Sequence, residues 1–163
     1  EDPIGALLSN LRRDMGDFRA DEEYFEGPLM DKGALFAVYV ACRHRGIRDL
    51  FSGASVVLQP HVDRHHILPR AQFPERQRPK ADTLANIAFI SSPANRSVSN
   101  SGPEVYLGKL DPAILKSQCI PLDRSLWRVD RADEFWDARR ELLAEAFNEY
   151  LKTALPGRRM AAA

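Results

Sequence analysis

The sequence predicts an α+β fold: a small strand–loop–strand–helix core surrounded by α-helices. Three observations predict it. Helical apolar patterns occupy both ends of the chain. The middle instead holds two short apolar runs separated by a proline-rich, basic loop. The second run leads directly into Ser92-Pro93, a serine cap followed by proline at the first helical position. A chain of 163 residues accommodates one ordinary domain with helical additions.

Residues 3–18 place Ile4, Leu7, Leu8, Leu11, Met15 and Phe18 three or four apart behind Asp2-Pro3, which predicts an amphipathic helix. A second helix is expected from Lys32 to Arg45, capped by Asp31 and stopped by Gly46. Its nearly continuous apolar residues (Leu35, Phe36, Val38, Tyr39, Val40) mark it as a core helix. Ser55–Leu58 is short and β-branched, and Val62–Leu68 is expected to continue as strand. Residues 69–81, with Pro69, Pro74 and Pro79, read as a loop, and Ile87–Ile90 as a buried strand. Pro-opened turns follow at Gly102-Pro103 and Asp111-Pro112. The last helix carries Phe135, Trp136, Leu142, Leu143, Ala146, Phe147, Tyr150 and Leu151 on one face, with Asp130 as a cap candidate and Pro156-Gly157 as its stop.

Charge and cysteine usage narrow the functional classes. Formal net charge is zero, so bulk electrostatic nucleic-acid binding is excluded and any DNA contact must be local. One local excess exists, where Arg64, Arg70, Arg76, Arg78 and Lys80 face only Asp63 and Glu75 within residues 61–80. Cys42 and Cys119 form no CxxC pair, which argues against a zinc ribbon or a disulfide framework; both read as buried free thiols. No signal peptide and no long apolar run is present, so a cytoplasmic location without a membrane partner is expected. The chain opens at Glu1 without Met, and 156–163 reads as an appended tail, so 1–155 is expected to be one domain of a longer protein.

Chemistry concentrates in the middle. His61, His65 and His66 lie within six residues, while His44 sits at the end of a predicted helix, where it favours the dipole. Adjacent strand residues point to opposite faces, so His65 and His66 cannot both bind one ion from a regular strand. They can flank one centre if one holds a metal and the other faces a water. Asn95, in the first turn of the helix expected after Ser92-Pro93, returns towards the strand pair. Its amide oxygen is a suitable ligand for Mg²⁺ or Mn²⁺.

The run His65-His66-Ile67-Leu68-Pro69, then Asp82-Thr83-Leu84-Ala85-Asn86-Ile87, then Asn95 nine residues beyond Asn86, resembles the HNH nuclease pattern. It is most similar to the DUF1524 group, C-terminal nuclease domains of modification-dependent restriction and antiphage proteins, often fused to a DUF262 NTPase domain. Gly46-Ile47-Arg48-Asp49-Leu50-Phe51 and Pro103-Glu104-Val105-Tyr106-Leu107 resemble elements that flank the motif in that group. The resemblance covers roughly residues 30–110. Asn95 stands where many relatives carry histidine, and the cysteine pairs that hold structural zinc in other HNH proteins are absent.

The resemblance implies a ββα-metal core at about residues 55–110 and a DNA endonuclease or nickase dependent on one divalent cation. That cation is Mg²⁺ or Mn²⁺, with Ni²⁺ or Zn²⁺ as in-vitro substitutes. The catalytic pair implied is His66, the general base, and Asn86, which braces the loop around it; His65 and Asn95 are the implied metal ligands. The chemistry suits these groups, because histidine titrates in the range needed to take a proton from water. Arg64, Arg70, Arg76, Arg78, Lys80 and Arg96 are the candidates for phosphate contact, Arg70 and Arg96 being nearest the centre in sequence. The implied partners are DNA and an N-terminal DUF262-like NTPase or sensor domain. The alternative is a catalytically inactive DNA-binding or regulatory module with a degenerate HNH core.

Overall fold

The computed structural model describes residues 18–92 and 102–154. The helix expected over 3–18, apart from Phe18, lies outside the described residues, as does the expected helix beyond Ser92, with Asn95 and Arg96. The described part is a small α+β fold in which a two-stranded antiparallel sheet sits amid helices.

Helix α1 (Lys32–His44) begins where Asp31 accepts a hydrogen bond from the Ala34 N–H at 3.0 Å. It stops at Gly46, whose φ of +75° is the left-handed conformation that glycine adopts without a Cβ clash. The Ile47 N–H then returns to the Cys42 carbonyl and the Gly46 N–H to Arg43, closing the last turn as a Schellman motif does. The β-branched run at Ser55–Leu58 is not a strand. Val56–Leu58 is a 3-10 turn closed by the Gln59 N–H on the Val56 carbonyl. Pairing is confined to its start, where Ser55 bridges Arg48 and the Val56 N–H bonds the Ile47 carbonyl; Val56 is buried, while Val57 and Leu58 are exposed.

Strand β1 (Val62–His66) pairs with β2 (Ile87–Ser91) in a register that sets His65 opposite Ala88 and His66 opposite Ile87. Between them, residues 69–81 run as 3-10 turns rather than featureless loop. β2 is buried along its whole length, with Phe89 packed into one apolar cluster and Ala88 and Ile90 into the other. That two-sided burial explains its unbroken apolar sequence.

Two short helices follow, α2 (Pro103–Leu107) and α3 (Pro112–Ser117), each opened by proline at the expected positions. Helix α4 (Ala132–Ala154) closes the fold. Asp130 does not cap it. The Asp130 carboxylate is taken by Arg128 at 2.8 Å, and a 3-10 turn over Val129–Arg131 leads into the helix instead.

The C-terminal half of α4 packs Leu143, Ala146, Phe147 and Leu151 on α1, and its N-terminal half packs Phe135 and Trp136 beneath the sheet. Between the halves sits Arg139, fully buried. Its guanidinium donates to the carbonyls of Ala85 (2.8 Å), Ile87 (2.7 Å) and Gln118 (3.1 Å), docking α4 onto the start of β2. The Gln118 side chain bonds both the N–H and the carbonyl of Phe89, at 3.2 and 2.6 Å. Cys42 and Cys119 are buried free thiols beside this arginine.

Candidate metal and catalytic centre

The site forms where β1 ends. Ile67 and Leu68 do not extend the strand as expected: the Ile67 N–H still bonds in register with β2, but the Ile67 carbonyl and the Leu68 backbone are taken by side chains. The Ile67 N–H donates to the Asn86 carbonyl at 2.8 Å. The Asn86 side chain takes the next peptide, with Oδ1 accepting from the Leu68 N–H at 2.9 Å and Nδ2 donating to the Leu68 carbonyl at 3.0 Å. Nδ2 also donates to the Ala81 carbonyl at 2.9 Å. Asn86 is fully buried and ties both ends of the long loop together directly beside His66.

His65 and His66 face opposite sides, as the pleat requires. His65 is buried, with Phe51 and Tyr106 packed edge-on against its ring at centroid distances of 5.6 and 6.0 Å. Its Nε2 has no hydrogen-bond partner among the described residues. Burial pulls the His65 pKa down to about 4, helped by the neighbouring His66 and opposed by Asp49. At neutral pH the ring is therefore uncharged, with a lone pair free on one nitrogen.

Asp49 and Tyr106 hold this cage together. Asp49 is fully buried and accepts from the backbone N–H groups of Phe51 (2.9 Å), Ser52 (2.8 Å) and Ser91 (2.5 Å). Burial alone raises its pKa, but those donors outweigh it and keep the carboxyl below its ordinary value. It thereby fixes the Phe51 turn to the end of β2. The Tyr106 hydroxyl donates to the Ile67 carbonyl at 2.5 Å, and burial pushes its pKa upward.

His66 is partly open to solvent, and its Nε2 lies 2.9 Å from Asp82 Oδ1. The other Asp82 oxygen is 3.5 Å from Arg70 Nε. The basic residues do not converge equally on this centre. Arg64 is exposed on β1, and Arg76 and Arg78 are exposed on the 3-10 turn Glu75–Ala81. Lys80 reaches away towards Asp133 at 3.8 Å. His61 is exposed just ahead of β1, and His44 pairs with Glu149 at 3.7 Å.

The described residues thus place Asn86 at the end of the strand that carries His65 and His66 on opposite faces, with Arg70 near His66 through Asp82. Asp49, Phe51, Asp82 and Tyr106 build the site without having been singled out in the sequence. A signal was present, because each falls within one of the segments that carry the HNH resemblance. Among the described residues no group of three or more His, Cys, Asp or Glu side chains could hold a metal ion. A site with His65 and Asn95 as its protein ligands would not form such a group. No family model, curated protein or solved structure matches the chain.

Proposed function

We propose that this chain is a metal-dependent HNH endonuclease or nickase that hydrolyses DNA phosphodiester bonds, as the effector domain of a restriction or antiphage defence protein. The observation that carries the reading is the buried, unpartnered Nε2 of His65. A buried polar atom without a partner calls for an explanation, and an uncharged imidazole nitrogen is a common metal donor. The aromatic walls of Phe51 and Tyr106 leave that nitrogen no alternative partner among the described residues.

His65 and Asn95 would hold the cation, Mg²⁺ or Mn²⁺. When bound, it supplies positive charge to the scissile phosphate and the departing 3′ oxygen. His66, on the open face of the same strand, takes the proton from the attacking water. Asn86 holds the peptide at Leu68, and so the direction in which β1 delivers both histidines. Arg64, Arg76, Arg78 and Arg96 would offer cations to the DNA backbone, whereas Arg70 and Lys80 lie beside the carboxylates of Asp82 and Asp133. In this reading an N-terminal DUF262-like sensor or NTPase domain supplies targeting in the cytoplasm, since a chain of zero net charge binds DNA weakly alone. No described helix is long and apolar enough to cross a membrane.

Supercoiled plasmid incubated with the protein tests the proposal. Conversion to open circles or linear DNA in Mg²⁺ or Mn²⁺, abolished by EDTA, is the expected result. Plasmid retarded on a gel but uncut with every cation would identify an inactive DNA-binding module instead.

A further inference from the structure

His66 has a built partner. Its Nε2 is 2.9 Å from one oxygen of Asp82, and the other oxygen faces Arg70 Nε at 3.5 Å. Asp82 is anchored on both sides. Its N–H donates to the Pro79 carbonyl (3.2 Å), and its own carbonyl accepts from the Leu29 N–H (2.9 Å). The next two residues are tied to the Gly27 carbonyl, through the Thr83 hydroxyl (3.2 Å) and the Leu84 N–H (3.1 Å). Four residues after Asp82 comes Asn86, whose side chain ties Ala81, the residue before Asp82, to Leu68, two residues after His66. The carboxylate is therefore delivered to the imidazole by backbone that has little freedom to move.

An ionised carboxylate can only accept hydrogen bonds, so this contact requires the proton to sit on Nε2. In the neutral ring the lone pair then belongs to Nδ1. We propose that Asp82 is a positioning residue: it holds the His66 ring in the Nε2–H form and in one orientation, presenting Nδ1 as the proton acceptor, while Arg70 steadies Asp82. Its catalytic consequence rests on the nuclease reading of the site; the hydrogen bond itself does not. Two further consequences follow. Arg70 is engaged by Asp82 and is less free to bind phosphate than Arg76 or Arg78. The Arg70 charge also offsets a carboxylate that would otherwise repel DNA beside the centre.

The test uses the whole chain and two independent readouts. By NMR at pH 8 without metal, wild type should show a His66 Hε2 proton that exchanges slowly and correlates with Nε2, with Nδ1 unprotonated. Asp82→Ala should lose that slow proton, and Asp82→Glu should retain it. In Mg²⁺-dependent plasmid nicking, Asp82→Ala should lower kcat about 10–100-fold without raising KM, as loss of an orienting partner does, and Asp82→Glu should recover most of it. A proton on Nδ1 in wild type, or full nicking by Asp82→Ala, overturns the proposal. If wild type cuts no DNA, the nuclease reading fails, and the Hε2 signal alone decides whether Asp82 positions His66.

Discussion

Replacing Asn86 with alanine removes three buried hydrogen bonds at once: from the Leu68 N–H (2.9 Å), to the Leu68 carbonyl (3.0 Å) and to the Ala81 carbonyl (2.9 Å). Asn86 is fully buried, so water does not replace the lost amide at low cost. Each buried polar group left unmatched costs about 1–3 kcal/mol, and relaxation of the loop recovers part of it, so a total loss of about 3–5 kcal/mol is expected. For a domain with an ordinary stability of about 5–15 kcal/mol, that is a large fraction. Asn86→Asp should be at least as damaging, because a carboxylate accepts from Leu68 but meets two carbonyls where Nδ2 donated. Urea unfolding followed by circular dichroism measures both variants against wild type. A loss below about 1 kcal/mol for Asn86→Ala would refute the view that this side chain ties the loop ends.

Three other outcomes follow from the same geometry. His65, depressed from 6.5 to about 4 chiefly by burial, binds its proton more weakly folded than unfolded. Its stabilising contribution is complete above pH 6.5 and is lost as pH falls through 4, about 3 kcal/mol in all; urea titrations in EDTA should show this acid loss in wild type and its reduction in His65→Gln. Arg139→Met strands the carbonyls of Ala85, Ile87 and Gln118, so a loss of about 3–5 kcal/mol in the same assay is expected, and a neutral result would contradict its docking role. Mn²⁺ at about 100 times its Kd should stabilise wild type by about 2.7 kcal/mol in thermal unfolding; an equal gain in His65→Ala would place the ion elsewhere.

Local signals made much of the fold legible. Asp31 and Gly46 mark the ends of α1, and the two-sided burial of β2 shows as an uninterrupted apolar run. Ser55–Leu58 misleads because β-branched residues indicate a strand only where a neighbouring strand covers them, and here Val57 and Leu58 stay exposed. β1 stops at His66 for a reason that propensity does not carry: a side chain eighteen residues onward takes over the Leu68 backbone. The histidine pair was visible as a motif, but its environment was not. Asp49 reaches Ser91, forty-two residues away, and Asp82 reaches His66 across sixteen. An aspartate in a turn looks the same in sequence whether it faces solvent or an imidazole. Arg139 is similarly silent, an arginine within a helical stripe whose burial depends on three carbonyls from two other segments.

The most direct test of the central claim is the single-turnover nicking rate of supercoiled plasmid in Mn²⁺, compared among wild type, His65→Ala and His66→Ala. Wild type should nick. His66→Ala should fall by about 10²–10⁴-fold, the usual worth of a general base, with its circular dichroism unchanged. His65→Ala should lose activity together with Mn²⁺ binding. A wild-type protein that leaves the plasmid intact in both Mg²⁺ and Mn²⁺, or a His66→Ala variant that nicks at the wild-type rate, would contradict the account.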